Sequence, residues 1–158
     1  MNILIREASI NDAALIANLT RACWLNRVAS NSSGHHEDIT RVEQDLQHGG
    51  GFLLSLNDKI IGSVRWLPDD PETDVWLILR MGILPDFHGK SLSQHLLEAV
   101  IHRAQAADIN ELRLAVPADQ PRLLDLYAAY EFELSPELEY NRANPEDASP
   151  TVIRRWLK

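Results

Sequence analysis

Apolar and polar positions along the chain fall into runs with two distinct periods. Residues 2–8 set Ile3 and Ile5 against polar neighbours, the alternation of a half-buried strand. Ser9 and Asp12 then have the spacing of a capping box, and Ile16, Leu19 and Cys23 follow at helical intervals, so a first helix leaves this strand. Residues 27–36 are rich in Asn, Ser and Gly and predict an exposed loop. A second, short helix is expected over 39–48, with Val42 and Leu46 inward and Gly49-Gly50-Gly51 as its stop. Residues 52–56 and 59–67 flank Asn57-Asp58 in the pattern of a hairpin, and 68–73 is a polar turn. The apolar run 75–84 is long enough for a buried strand, and Pro85 closes it because proline cannot donate to a ladder. After a polar turn at 86–90, Leu92, Leu96, Leu97, Val100, Ile101 and Ala104 mark a helix with one buried face. Residues 111–116 alternate Leu112, Leu114 and Val116 with Arg113 and Ala115; this strand is parallel to 75–84 if the helix is a crossover. A turn at 117–121, a short helix over 122–130, and strands at 132–140 and 151–157 joined by a polar loop complete the chain. The order β-α-α-β-β-β-α-β-α-β-β belongs to an α/β fold with a mixed sheet.

A length of 158 residues, 45% of them hydrophobic and 24% charged, predicts one soluble domain over 1–158 with a sizeable core. The formal charge of −8 argues against nucleic acid, where a basic face supplies most of the affinity, and favours a cationic or amine substrate. Cys23 is the only cysteine, so no internal disulfide can form. No apolar run is long enough to span a membrane or act as a signal peptide, which makes the cytoplasm the expected location.

Candidate chemistry concentrates between residues 80 and 97. Gly82 interrupts the 75–84 strand, where glycine marks a bulge or a close backbone approach; either leaves ladder groups unpaired. The helix that follows the 86–90 turn leaves its first N–H groups open and carries the positive end of its dipole. Residues 89–93 therefore predict a socket for phosphate oxygens, with Lys90 adding a mobile cation. Gly89-Lys90-Ser91 is also the tail of a nucleotide-hydrolase phosphate loop, but the first glycine of that motif falls at Leu84, and 111–116 runs into Pro117 rather than a metal-binding Asp. His48 with the three glycines spells an esterase oxyanion motif, yet no Gly-x-Ser-x-Gly accompanies it. His35-His36-Glu37-Asp38 gathers four potential ligands, but adjacent residues seldom face one ion and no second His/Cys pair completes a tetrahedron. No metal is expected, and the run reads as a solvated loop and helix cap, or as a loop that touches substrate. Trp66 and Trp76 fit core positions better than an aromatic acceptor pocket.

At the loop His88-Gly89-Lys90-Ser91-Leu92-Ser93 the chain resembles the GNAT superfamily of N-acetyltransferases. Their pyrophosphate loop reads Arg/Gln-x-x-Gly-x-Gly/Ala after an apolar-x-Pro strand end, here Ile83-Leu84-Pro85. His88 stands for Arg/Gln, Ser91 for Gly, and Ser93 for Gly/Ala. The segment Leu126-Tyr127-Ala128-Ala129-Tyr130-Glu131-Phe132 resembles the family's Leu-Tyr-Glu-Lys-Leu-Gly-Phe, with Glu131 at its glycine. The resemblance implies a GNAT-like central mixed sheet of about six to seven strands flanked by four helices, and acetyl-CoA as cosubstrate. It implies that Met81, Gly82 and Ile83 pair with the pantetheine arm, that His88, Gly89, Lys90, Ser91, Leu92 and Ser93 hold the pyrophosphate, that Gln120 touches the cofactor, and that Tyr127 is the catalytic proton donor. The implied activity is acetyl transfer to a primary amine, on a small molecule or a peptide, by direct attack. The altered loop keeps open a domain of this fold that binds acyl-CoA without turnover, and a homodimer is compatible with either. The family's usual glutamate base has no counterpart in the apolar stretch 75–79; water relayed to Glu72, Asp74 or His35, or an amine arriving neutral, are the alternatives. The resemblance places the acceptor between the 27–38 and 141–150 loops.

Overall fold

The chain opens with strand β1 (Ile3–Glu7). Asp12 accepts from the Ser9 amide at 2.9 Å and so starts the turn that leads into helix α1 (Ala13–Trp24). Helix α2 (Ile39–His48) begins where Asp38 accepts from the Arg41 amide at 2.8 Å. Three antiparallel strands follow, β2 (Gly50–Leu56), β3 (Lys59–Asp69) and β4 (Glu72–Ile83). Helix α3 (Leu92–Ala106) crosses over to β5 (Glu111–Val116), and α4 (Leu123–Ala128), β6 (Glu133–Leu134) and β7 (Thr151–Trp156) complete the order. This computed structural model describes residues 2–24, 37–69, 72–117, 120–138 and 150–158. Its seven strands form one mixed sheet in the order β1-β2-β3-β4-β5-β7-β6, with β4 and β5 parallel and the other pairs antiparallel.

Two apolar layers sandwich the sheet. On one face Leu92, Leu96, Leu97, Val100, Ile101 and Ala104 of α3, with Tyr127 of α4, bury against Leu54, Val64, Ile78 and Leu114. On the other, Ile16, Ala17 and Cys23 of α1 and Val42 and Leu46 of α2 pack on Leu53. The α3 stripe is the one that the helical spacing marks, and Trp66 and Trp76 stack at 5.1 Å within the α3-side core. Among the described residues no helix is long and apolar enough to cross a membrane.

Local departures from the sequence expectation have steric causes. Asn57 and Asp58 both take positive φ, 49° and 73°, as a two-residue hairpin turn requires. Of the glycine triplet, only Gly49 lies outside a strand; Gly50 and Gly51 belong to β2, and the reason for them is space rather than a left-handed stop. A Cβ at Gly49 would lie 1.8 Å from the Trp66 carbonyl oxygen, and one at Gly50 2.3 Å from the Trp66 ring. The 68–73 turn is shorter than expected, because β3 runs through Pro68 to Asp69, where the ladder with β4 is irregular and tolerates a proline. The 132–140 strand contracts to Glu133–Leu134: the Leu138 amide donates back to the Ser135 carbonyl at 3.0 Å, turning the chain off the sheet, and 139–140 lie outside the described residues. The short helix is Leu123–Ala128, not 122–130. The expected loops at 27–36 and 141–149 lie outside the described residues.

Candidate active site

The end of β4 is where the sheet stops being regular. Against β3, Ser63 pairs with Gly82 and Arg65 with Leu79, so Val64 faces two residues, Arg80 and Met81. That is a bulge, and Arg80 takes φ 53° within it. On the other side, parallel pairing with β5 runs from Val75 opposite Glu111 to Ile78 opposite Leu114 and ends there, although β4 continues to Ile83. From Leu79 to Ile83 this edge of β4 therefore has no strand partner among the described residues. The bulge sits at Arg80-Met81; Gly82 itself marks the close approach, since a Cβ there would come within 2.9 Å of the Trp24 ring and 3.1 Å of the Cys23 Cβ.

A tight turn joins this edge to α3. Pro85–Phe87 forms a single 3-10 turn, and His88 Nε2 donates to the Ile83 carbonyl at 2.7 Å, tying the loop to the strand end. Gly89 takes φ 81° and Ser91 φ 58°. Ser91 precedes the first turn of α3 without a side-chain cap, so the opening amides of the helix are left to other acceptors. Between β4, this loop and α4 lies a cavity of about 310 Å³. Met81, Gly82 and Ile83 line one side, His88, Gly89, Ser91, Leu92 and Ser93 the loop end, and Tyr127 the opposite wall. Leu126, which opens the second motif segment, also lines it, and Phe87, Arg122 and Leu123, given no site role by the motifs, complete it; Arg122 adds a cation. Two residues implied by the resemblance stand apart from this lining. Lys90 is exposed with Nζ 5.9 Å from the Phe87 ring centroid, and Gln120 is buried in the turn before α4, its carbonyl accepting from the Leu123 amide at 3.1 Å.

Tyr127 is 5% exposed, edge-on to Phe132 with ring centroids 5.9 Å apart. Burial alone pushes its hydroxyl up to about 12, so the phenol keeps its proton at neutral pH. Glu131, at the family's glycine, takes φ 68° and pairs with Arg155 at 3.1 Å.

The carboxylates weighed as bases lie elsewhere. Glu72 pairs with Arg113 at 2.9 Å and Asp74 accepts from the Asn110 side chain, both at the start of β4. At about 3.3 Å per strand residue they are more than about 20 Å from Gly82. His35 lies outside the described residues. Glu37 corrects another expectation: it is 4% exposed rather than solvated. Its carboxylate pairs with Arg65 and accepts from Arg80 Nε at 3.2 Å, while Arg65 also holds Asp45 at 2.9 Å. Among the described residues no group of three or more His, Cys, Asp or Glu could hold a metal ion.

Residues 15–132 match the family model described as acetyltransferase (GNAT) family. Among solved structures, the chain is similar to the PaiA N-acetyltransferase of Thermoplasma acidophilum in complex with coenzyme A, with 16% identity, 99% of each chain covered and a TM-score of 0.77. It is also similar to the ribosomal-protein-S18-alanine N-acetyltransferase of Escherichia coli, at 14% identity, 99% of this chain and 95% of that one, TM-score 0.75. A third is yncA, a putative acetyltransferase of Salmonella typhimurium with acetyl-CoA, at 14% identity, 99% and 94% coverage and TM-score 0.76. At these identities the likeness is one of fold. Compared with curated proteins by sequence, the chain has no match.

Proposed function

Because the chain belongs to the acetyltransferase (GNAT) family, we propose that it moves the acetyl group of acetyl-CoA to a primary amine, acting as one domain. The observation that carries this reading is the divergence of β4 from β5 after Ile78, which opens backbone groups at 81–83 onto a cavity whose far end is a helix N-terminus. The residues present fit coenzyme A: the loop offers open amides and the helix dipole to a pyrophosphate, and Arg122 a compensating charge.

Bound acetyl-CoA would supply a thioester carbonyl open to attack and a thiol leaving group. The strand end at 81–83 would align the acyl arm and donate N–H groups to its oxygen. Tyr127 holds the proton for the departing sulfur, and burial keeps that proton in place until it is needed. As the N–C bond forms and the C–S bond breaks, the tyrosine proton goes to sulfur and the surplus amine proton to water. The amine arrives neutral in this reading: the Glu37 and Asp45 carboxylates beside the bulge of β4 are both held by arginines.

The test is Tyr127→Phe, assayed for thiol release with an amine panel and for CoA affinity. The ring still packs on Phe132, so CoA should bind as before while turnover falls by roughly 10²-fold. Unchanged turnover with a shifted melting temperature would return Tyr127 to the core. CoA binding without turnover of any amine would favour an acyl-CoA-binding domain instead, the reading that His88, Ser91 and Ser93 motivate.

A further inference from the structure

In a chain with a formal charge of −8, one cluster of described residues has more guanidiniums than carboxylates: Arg21, Arg41, Arg65 and Arg80 against Glu37, Asp38 and Asp45. Arg80 sits in the β4 bulge, one residue before the stretch that the acetyl-transfer reading gives to the thioester. Among the described residues it bonds to Glu37 through Nε alone, which leaves the two terminal nitrogens of the fork for another group. Neighbouring carboxylates are already engaged. Glu37 also serves Arg65, Asp45 serves Arg65 and Arg41, and Asp38 caps α2. Arg21 adds a further guanidinium on the Glu37 carbonyl. Arg65, 1% exposed, has a buried Nε without a partner among the described residues, a second sign that donors outnumber acceptors here. Arg80 keeps 16% of its side chain open to solvent, so a small ligand can reach it.

Resting on the acetyl-transfer reading, we propose that the acceptor amine also carries a carboxylate, which Arg80 receives end-on through its terminal nitrogens while Glu37 holds the guanidinium in place. The planar fork suits a carboxylate in two parallel hydrogen bonds. Substrate preference then lies with amino acids rather than simple or polycationic amines, which the overall charge alone would favour.

Calorimetry on CoA-saturated protein tests this with free amino acids and their matched carboxamides, which keep the amine and remove the carboxylate. At least one acid should bind at least about tenfold more tightly than its carboxamide. That preference should collapse in Arg80→Met and shrink in Arg80→Lys, which keeps the charge and loses the fork. CoA affinity of each variant, measured first, reports whether it is folded. Equal binding of acid and carboxamide, a preference that survives Arg80→Met, or no acid bound by CoA-saturated protein overturns the proposal alone. Failure of CoA to bind the wild type overturns the acetyl-transfer reading and the proposal with it.

Discussion

Ser91 occupies left-handed backbone, φ 58°, at the position where the family pattern has glycine. A non-glycine residue there costs about 1–2 kcal/mol, whereas glycine would add about 0.5–1 kcal/mol of unfolded-state entropy. Ser91→Gly should therefore stabilise the protein by about 0.5–1 kcal/mol, seen as a melting temperature higher by roughly 1–3 °C. A lower melting temperature would mean that the serine hydroxyl holds the loop. Tyr127 gives a second expectation at this scale, because its folded value of about 12 stands above the ordinary 10.0. A raised value means the native state keeps a proton that the unfolded chain releases. Its share of stability is complete below about pH 10 and is lost as pH rises towards about 12. In denaturant titrations over that window Tyr127→Phe should lose less stability than wild type; parallel losses would show a hydroxyl open to water. That Tyr127 and the loop residues other than Lys90 share one cavity was legible because a motif names them. Glu37 was not: an acid beside a capping Asp38 in a polar run has the signature of a solvated residue, and its partner Arg65 lies 28 positions on.

Elements whose character is local are the ones that periodicity predicts. The α3 stripe and the Asn57-Asp58 turn depend on neighbours within a few residues, and both stand where the sequence puts them. The β6 strand, the reach of β3 through Pro68 and the position of the bulge depend on what lies across the ladder, which no single run of residues reveals. The Glu37 cluster joins three elements in the same non-local way: the start of α2, β3 through Arg65, and β4 through Arg80. With Arg65 at 1% and Glu37 at 2% side-chain exposure, removing one partner strands a buried charge. Glu37→Gln should cost about 3 kcal/mol or more in urea unfolding. A loss under about 1 kcal/mol, the scale of an exposed pair, would show that water reaches the cluster.

At the scale of the whole molecule, the order of strands and helices was readable because a βαβ crossover can close in only one common way. Gly82 signalled unpaired ladder groups, but the last paired residues, Ile78 and Leu114, were not readable, since Leu79 on one strand and Ala115 on the other continue the apolar runs. That parting turns the one parallel pair of the sheet into a slot with a helix N-terminus at its end, and acetyl transfer requires coenzyme A to enter it. The most direct measurement is a calorimetric titration of CoA into wild type and Ser93→Asp. Ser93 lies in the first turn of α3, so an aspartate there suits the helix dipole and preserves the fold while filling the anion socket with a carboxylate. Saturable one-to-one binding by wild type is expected, with affinity weaker by at least about tenfold in the variant. No binding by wild type, or equal binding by both proteins, would contradict it.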